Sequence, residues 1–269
     1  MEPALGVVLY WLLFGGTHVL LATVPVRAAL VRALGETGFR VLYSLVSVLT
    51  LTLLVRFFAV HRADGAPGPA LGGDPAVRAV LIAVVVLGVV FMTGAGAAYP
   101  GSPMAVVGGR RVRVPYGLER ITRHTFFVGG ALVALAHVAL ATRLVGAVFS
   151  AGFAILALAG SWHQDRKLLV LRGPAYADYL ARTSLLPFAA IVTGRNRLVW
   201  RELPLGTLAA GVVVAVVIRA VHDGMFAHGG LWFVGAIVAG ALLLTLQAAL
   251  AARSQRTRRP ETAGLPRTT

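Results

Sequence analysis

Apolar runs of near-uniform length, separated by short polar segments, dominate this chain. A hydrocarbon core about 30 Å thick is crossed by roughly 20 apolar residues in a helix. Seven stretches reach or approach that length: residues 3–24, 39–60, 77–98, 125–142, 144–160, 203–221 and 230–252. In lipid each segment must satisfy its own backbone hydrogen bonds, so the pattern predicts an all-α, polytopic bundle of about seven membrane helices. The fourth and fifth stretches are short, and the Thr142–Arg143 break between them predicts a tight helical hairpin. The first stretch follows the acidic Glu2 and has no small-residue cleavage pattern, so it reads as a span and not as a removable leader.

Arg and Lys positions orient the bundle. With the N-terminus outside, the cytoplasmic segments hold Arg27, Arg32 and Arg40, then Arg110, Arg111, Arg113, Arg120 and Arg123. They continue with Arg166, Lys167, Arg172, Arg182, Arg195, Arg197 and Arg201, and end with Arg253, Arg256, Arg258, Arg259 and Arg267. The outer side receives Arg56, Arg62, Arg78, Arg143 and Arg219, so 20 of the 25 basic residues fall inside. That bias follows the positive-inside rule and puts the C-terminus in the cytoplasm. Arg outnumbers Lys 24 to one, which points to a GC-rich bacterial gene and hence a bacterial inner membrane.

Two loops are long. Residues 99–123 carry Pro100, Pro103, Gly108–Gly109 and Pro115, a turn-rich connection with a short hairpin expected at the glycines. Residues 161–202 form a cytoplasmic loop with interfacial helices. Asp165–Leu171 is helical in pattern up to Gly173–Pro174, Tyr176, Tyr179 and Leu180 share one face, and 184–192 is apolar but too short to span. Residues 1–252 thus form one membrane domain, and 253–269 a basic tail expected to be disordered near anionic lipid.

Composition narrows the chemistry. Hydrophobic residues make up 58% and charged residues 13%, about half the charge of a soluble domain; mean hydropathy is +0.81. The net charge of +15 lies between apolar runs and not on a basic stripe, which argues against nucleic acid as a partner. With no Cys, disulfides, thiolate metal sites and Cys nucleophiles are excluded. Gly94-x-Gly96 sits at a helix end without a third glycine, so it is no dinucleotide site. Gly15–Gly16 and Gly129–Gly130 suit close helix contact or kinking.

The informative polar residues are histidines: His18 in the first stretch, His137 in the fourth, His124 at the start of the fourth and His163 past the fifth. An ionisable group in a span is a functional candidate, set against a neutral imidazole bonded to a neighbouring helix. Two such groups on different helices can hold a haem or a metal ion, and a four-histidine cluster stays open. Arg120 and Arg123 beside Glu119 read as interfacial anchors, and Asp165–Arg166 as a helix cap with a weak ion pair.

Glu119-Arg-Ile-Thr-Arg-His124, followed by Leu135-Ala-His137, resembles the NnrU family and, within it, the 15-cis-zeta-carotene isomerases. The likeness continues through Asp165-Arg-Lys-Leu-Leu169, Gly173-Pro-Ala-Tyr176 and residues 182–195, and upstream through His18, residues 40–47 and His61–Gly65. The resemblance implies a haem b in the bundle, with His18 and His137 as axial ligands and catalytic positions, and a lipophilic polyene as substrate. Ala134 stands where those isomerases carry an exchangeable Cys ligand, and Thr125 where they have Pro. On straight helices His18 and His137 are offset by about 13 Å, so a shared iron needs a break, for which Gly15–Gly16 is the candidate. Without one, His124 or His163 is the better partner for His18. The alternatives are an accessory protein for nitric oxide reductase, which the family also includes, and a membrane methyltransferase in which Arg120, His124 and Tyr176 bind S-adenosylmethionine. For the latter, Gln164–Asp165 replaces the expected acidic pair.

Overall fold

The computed structural model describes residues 2–97 and 112–257. The loop hairpin expected at Gly108–Gly109 and the tail from residue 258 lie outside the described residues. Among the described residues the chain is helical and contains no β-strand.

Among the described residues nine α-helices follow in order: α1 (Pro3–Ala22), α2 (Val24–His61), α3 (Pro75–Gly94), α4 (Thr125–Leu140), α5 (Leu144–Arg172), α6 (Pro174–Arg182), α7 (Ala189–Val192), α8 (Leu205–Val221) and α9 (Ala227–Thr257). Their starts follow local chemistry. Glu2 accepts from the Ala4 N–H ahead of Pro3 (2.6 Å), and Asp74 accepts from Ala76 and Val77 ahead of Pro75 (2.8 and 2.9 Å). Five helices are long and apolar enough to cross a membrane, and Thr125–Leu140 and Ala227–Leu243 are shorter apolar helices. Large apolar side chains on their outer faces, such as Leu12, Leu45 and Leu242, stay exposed, as a lipid-facing surface requires.

Two boundaries differ from the sequence expectation. The segment before residue 39 is helical: α2 begins at Val24 and turns sharply at Gly35 (φ 73°, ψ 168°), a backbone state open to glycine alone. Arg27 donates to both Glu36 oxygens across that turn (2.7 and 2.8 Å), and Arg40 donates from the far side (3.1 Å). α5 does not stop at residue 160 but continues to Gly173 (φ 55°). Its 29 residues measure about 44 Å, so the last turns, from Gln164 on, extend beyond a 30 Å core. α9 likewise runs on through residues 253–257, which were expected to be disordered.

α1 packs on α2 and α5, α4 on α3 and α5, α8 on α3 and α9 on α2. The hairpin between α4 and α5 forms as expected, and the 66–70 segment locks it. Gly68 donates to Thr142 (3.0 Å), Ala70 to Ala141 (2.9 Å) and Leu144 to Ala66 (2.8 Å). Ala66 also donates to the Glu2 carboxylate (3.3 Å), so the start of α1, the end of α4 and the start of α5 share one end of the bundle, the Glu2 end. Inside it an aromatic core joins α2, α5 and α9: Phe58 stacks on Phe149 (3.9 Å), with Phe226 and Phe233 around them. Gly88 and Gly129 bring α3 and α4 into backbone contact; a Cβ on Gly88 would sit 2.6 Å from the Gly129 oxygen, and one on Gly129 would strike the Gly88 oxygen.

Candidate functional site

At the opposite end the motif residues gather in one polar knot. Tyr116 is extended and Gly117 (φ 59°) opens a single 3₁₀ turn, Gly117–Arg120. That turn sends successive side chains to different partners. Glu119 is fully buried, receives the Arg113 guanidinium and accepts from the Tyr116 N–H (3.3 Å). Arg120 grips Glu202 with two bonds (2.7 and 2.9 Å) and donates to Asn196 (2.9 Å), while the Gly117 N–H donates to the same carboxylate (2.9 Å). Thr122 donates to the Leu185 carbonyl (2.7 Å), and the Arg123 N–H to Ser184 (3.0 Å). The turn-rich loop 183–188 is thereby stitched to the start of α4.

Asp165 is the hub. Its Oδ2 accepts from Arg123 Nε and Nη2 (2.9 and 2.7 Å), and its Oδ1 from His124 Nε2 and Tyr176 Oη (2.7 Å each). The over-long α5 carries this carboxylate past the apolar region to meet α4, and Gly173–Pro174 turns α6 back so that Tyr176 reaches it. Burial alone would raise the Asp165 carboxyl, but the hydrogen bonds from His124 and then Arg123 hold it down at about 2. Glu202 is also held below its ordinary value, chiefly by the Arg120 hydrogen bond. A carboxylate this well satisfied fixes His124 with its proton on Nε2. Among the described residues, His124 Nδ1 and Thr125 Oγ1 are buried without a hydrogen-bond partner.

Arg120, Arg123 and Asp165 are therefore internal ties and not interfacial anchors or a weak cap. Arg120, His124 and Tyr176, which a methyltransferase would turn on its cofactor, each spend a polar group on an internal carboxylate. His163 is half-buried and makes no hydrogen bond among the described residues. His18 lies far along α1, where Tyr43 Oη sits 2.9 Å from its Nε2 and Ser47 Oγ 3.1 Å from its Nδ1. His137 donates from Nδ1 to the Val133 carbonyl (2.8 Å), and its ring lies 6.0 Å from that of His222 at 25°.

The axial pair implied by resemblance is not brought together. Trp11 packs on Gly152 and Phe153 of α5, so seven residues further on His18 is level with Ala159. Phe127 of α4 lies against Gly160, at that same level. His137 is ten residues beyond Phe127 on the same helix, an axial separation of about 15 Å. Two imidazoles on one iron sit with nitrogens about 4 Å apart. The break at Gly15–Gly16 is absent, since α1 is continuous, so His18 and His137 do not fit one haem in this arrangement. Among the described residues no hydrogen bond or ring contact joins His18 to His124 or His163, and His124 is bound to Asp165.

Sequence reasoning missed Glu202, Asn196, Tyr43, Ser47 and His222. Glu202 had one signal: it is the only acidic residue between Asp178 and α8, in a loop with several arginines. His222 is separated from α8 by no polar run, which hid it among outer-loop residues.

The family model described as NnrU protein matches residues 6–229, which include every residue of the knot. The chain is 30% identical over 200 residues to the 15-cis-zeta-carotene isomerase, chloroplastic, of Arabidopsis thaliana, covering 72% of this chain and 52% of that protein. It is 30% identical over 172 residues to the protein of the same name from Zea mays, covering 62% and 45%. The chain thus spans about half the length of these relatives. No solved structure matches it.

Proposed function

The chain belongs to the NnrU family, and from that premise we propose that it is a membrane-embedded cis–trans isomerase of a lipophilic polyene, of the 15-cis-zeta-carotene class. The observation that carries the reading is the 30% identity to a carotene isomerase over 72% of the chain. The physical setting supports it. Isomerisation exchanges no atoms with water, and a polyene dissolved in lipid reaches only side chains within the apolar zone. There, His18, Tyr43 and Ser47 form the polar set between α1 and α2, with the Phe14 and Phe39 rings beside them. The Tyr43–His18 bond fixes the half-buried imidazole where a polyene entering between α1 and α2 would contact it. The polar knot serves as the rigid base that holds α4 and α5 in register.

In this proposal all seven apolar helices span a bacterial plasma membrane, with the Glu2 end outside and the knot cytoplasmic. The asymmetry of Arg and Lys supports that orientation. No step is assigned to a haem on His18 and His137, because the two residues do not meet.

The test is to express the protein in bacterial cells that accumulate 15-cis-zeta-carotene in the dark and to resolve the isomers by chromatography. The expected result is a rise in the 15-trans isomer over cells carrying an empty vector. An unchanged isomer ratio, with folded protein present in the membrane fraction, overturns the reading.

A further inference from the structure

We propose that Arg27, Arg40 and Lys167 hold the phosphate of an anionic lipid headgroup where Gly35 turns α2, beside the knot. On a straight helix Arg27 and Glu36, nine residues apart, would stand about 14 Å apart along the axis and on opposite faces. The turn at Gly35 (φ 73°) instead brings Arg27 Nη2 to both Glu36 oxygens, at 2.7 and 2.8 Å. Arg40, one turn further on, donates from Nε to the same carboxylate (3.1 Å), and the Arg27 guanidinium lies 5.3 Å over the Phe39 ring. Lys167 of α5 lies close enough to feel both the Arg27 and the Glu36 charges. Three cations thus share one carboxylate, which leaves a net charge of +2.

Unlike the knot, whose charges close on one another, this cluster is short of acceptors. Arg27 reaches Glu36 through Nη2 alone, and Lys167 makes no hydrogen bond among the described residues. Burial, and after it the Arg27 charge, holds the Lys167 ammonium below the ordinary lysine value, and Glu36 offsets only part of this. A half-buried cation without a counter-ion is what a bound anion relieves. Its depth suits a headgroup. Trp162, 58% exposed, stacks with Arg166 (3.9 Å) five residues before Lys167 on the same helix, as an aromatic residue of the interface does. The helical segment 24–34 leading into the turn exposes Val24 and Leu34, as a helix lying in the interface does. A phosphodiester carries one negative charge and two free oxygens that accept from guanidinium and ammonium alike. The net positive charge favours an anionic lipid over a zwitterionic one, whose own cation it repels. Inorganic phosphate offers the same oxygens, and the depth of the site is what favours the lipid. The inference rests on the membrane setting proposed above and not on the isomerase reading, whose carotene assay it leaves untouched.

The experiment uses the full chain, delipidated in detergent, with bound lipid counted by native mass spectrometry. Phosphatidylglycerol, phosphatidylcholine and inorganic phosphate are titrated separately. The proposal expects saturable binding of about one phosphatidylglycerol per chain, about fivefold or more tighter than phosphatidylcholine, with phosphate alone far weaker. Lys167→Met should lower the phosphatidylglycerol affinity about fivefold, and Arg40→Gln should do likewise. Lys167→Arg keeps the charge and should keep the affinity. Arg197→Ala removes an exposed cation from the loop before α8, outside the cluster, and should leave it unchanged. Lys167 has no hydrogen bond to lose, so Lys167→Met should melt with the parent, and each variant's melting temperature shows that it is folded. Equal affinity for the two lipids, binding indifferent to both Lys167→Met and Arg40→Gln, or an equal loss in Arg197→Ala overturns the proposal. Saturable binding of inorganic phosphate as tight as that of the lipid also overturns it, and assigns the site to a free anion.

Discussion

The two ends of the bundle treat their ionisable groups in opposite ways. At the knot, Asp165 satisfies Arg123, His124 and Tyr176 together, and Glu202 satisfies Arg120. At the Glu2 end, His137 donates from Nδ1 to Val133, while the exposed His222 stands 3.6 Å from Asp223, beyond a hydrogen bond. The residues of the Glu119–His124 string are thus largely consumed by folding, whereas His137, in the string that follows it, spends only its Nδ1. Polar groups close to lipid are costly unless paired. A group left open is therefore better evidence of chemistry than membership of a conspicuous string.

The strongest way to break this contrast is Asp165→Ala. It strands the Arg123 guanidinium, which is only 16% exposed, and two buried donors. Removing one partner of a buried ion pair costs about 3–5 kcal/mol. The melting temperature of the detergent-solubilised protein should fall by roughly ten degrees. A change of a degree or less would show that the knot does not hold the fold.

Gly129→Leu should come next, at about 3 kcal/mol, because its Cβ meets backbone of α3 and not a flexible side chain. The collision lies in the second turn of α4, close to the knot, so the acid transition of the knot should shift with it. An unmoved acid transition would show that the contact and the knot are not coupled.

Acid sets the knot apart more finely. The folded Asp165 carboxyl titrates at about 2 against an ordinary value of 3.8. A depressed carboxylate contributes its full stabilisation above its unfolded value and loses it as pH falls through the folded one. Melting temperature should therefore hold from pH 7 to about 5 and then fall between about 4 and 2, a loss of about 2 kcal/mol from Asp165. Glu202, also depressed, adds a loss in the same direction. Asp165→Asn should flatten most of this slope. An undiminished slope in that variant would place the acid sensitivity elsewhere.

The apolar runs made the helices legible in advance, because period and length suffice when lipid is the solvent. Glu2 and Asp74 cap helices that the apolar runs alone had begun at residues 3 and 77. What escaped was whatever depended on distant packing. Asp165 looks like a surface cap until α5 continues past residue 160 and its carboxylate meets His124, 41 residues earlier in the chain. Arg120 looks like a lipid anchor until Glu202 arrives from 82 residues away. The Gly35 turn was hidden for another reason: glycine permits a sharp bend but does not announce one, and Gly15–Gly16 stays straight. The His18 and His137 pairing failed on the same point, as helix rise alone had already set them far apart.

The smallest effects sharpen the contrast most. Tyr176→Phe removes one hydroxyl from a carboxylate that keeps three other bonds, so it should cost about 1 kcal/mol. His222→Ala removes an exposed ring that no hydrogen bond ties down, and should change stability by less than about 0.5 kcal/mol. Thermal melts of the two variants side by side decide the matter. A loss at His222 equal to that at Tyr176 would mean that the ring packs as part of the fold, and the two ends would no longer differ in kind.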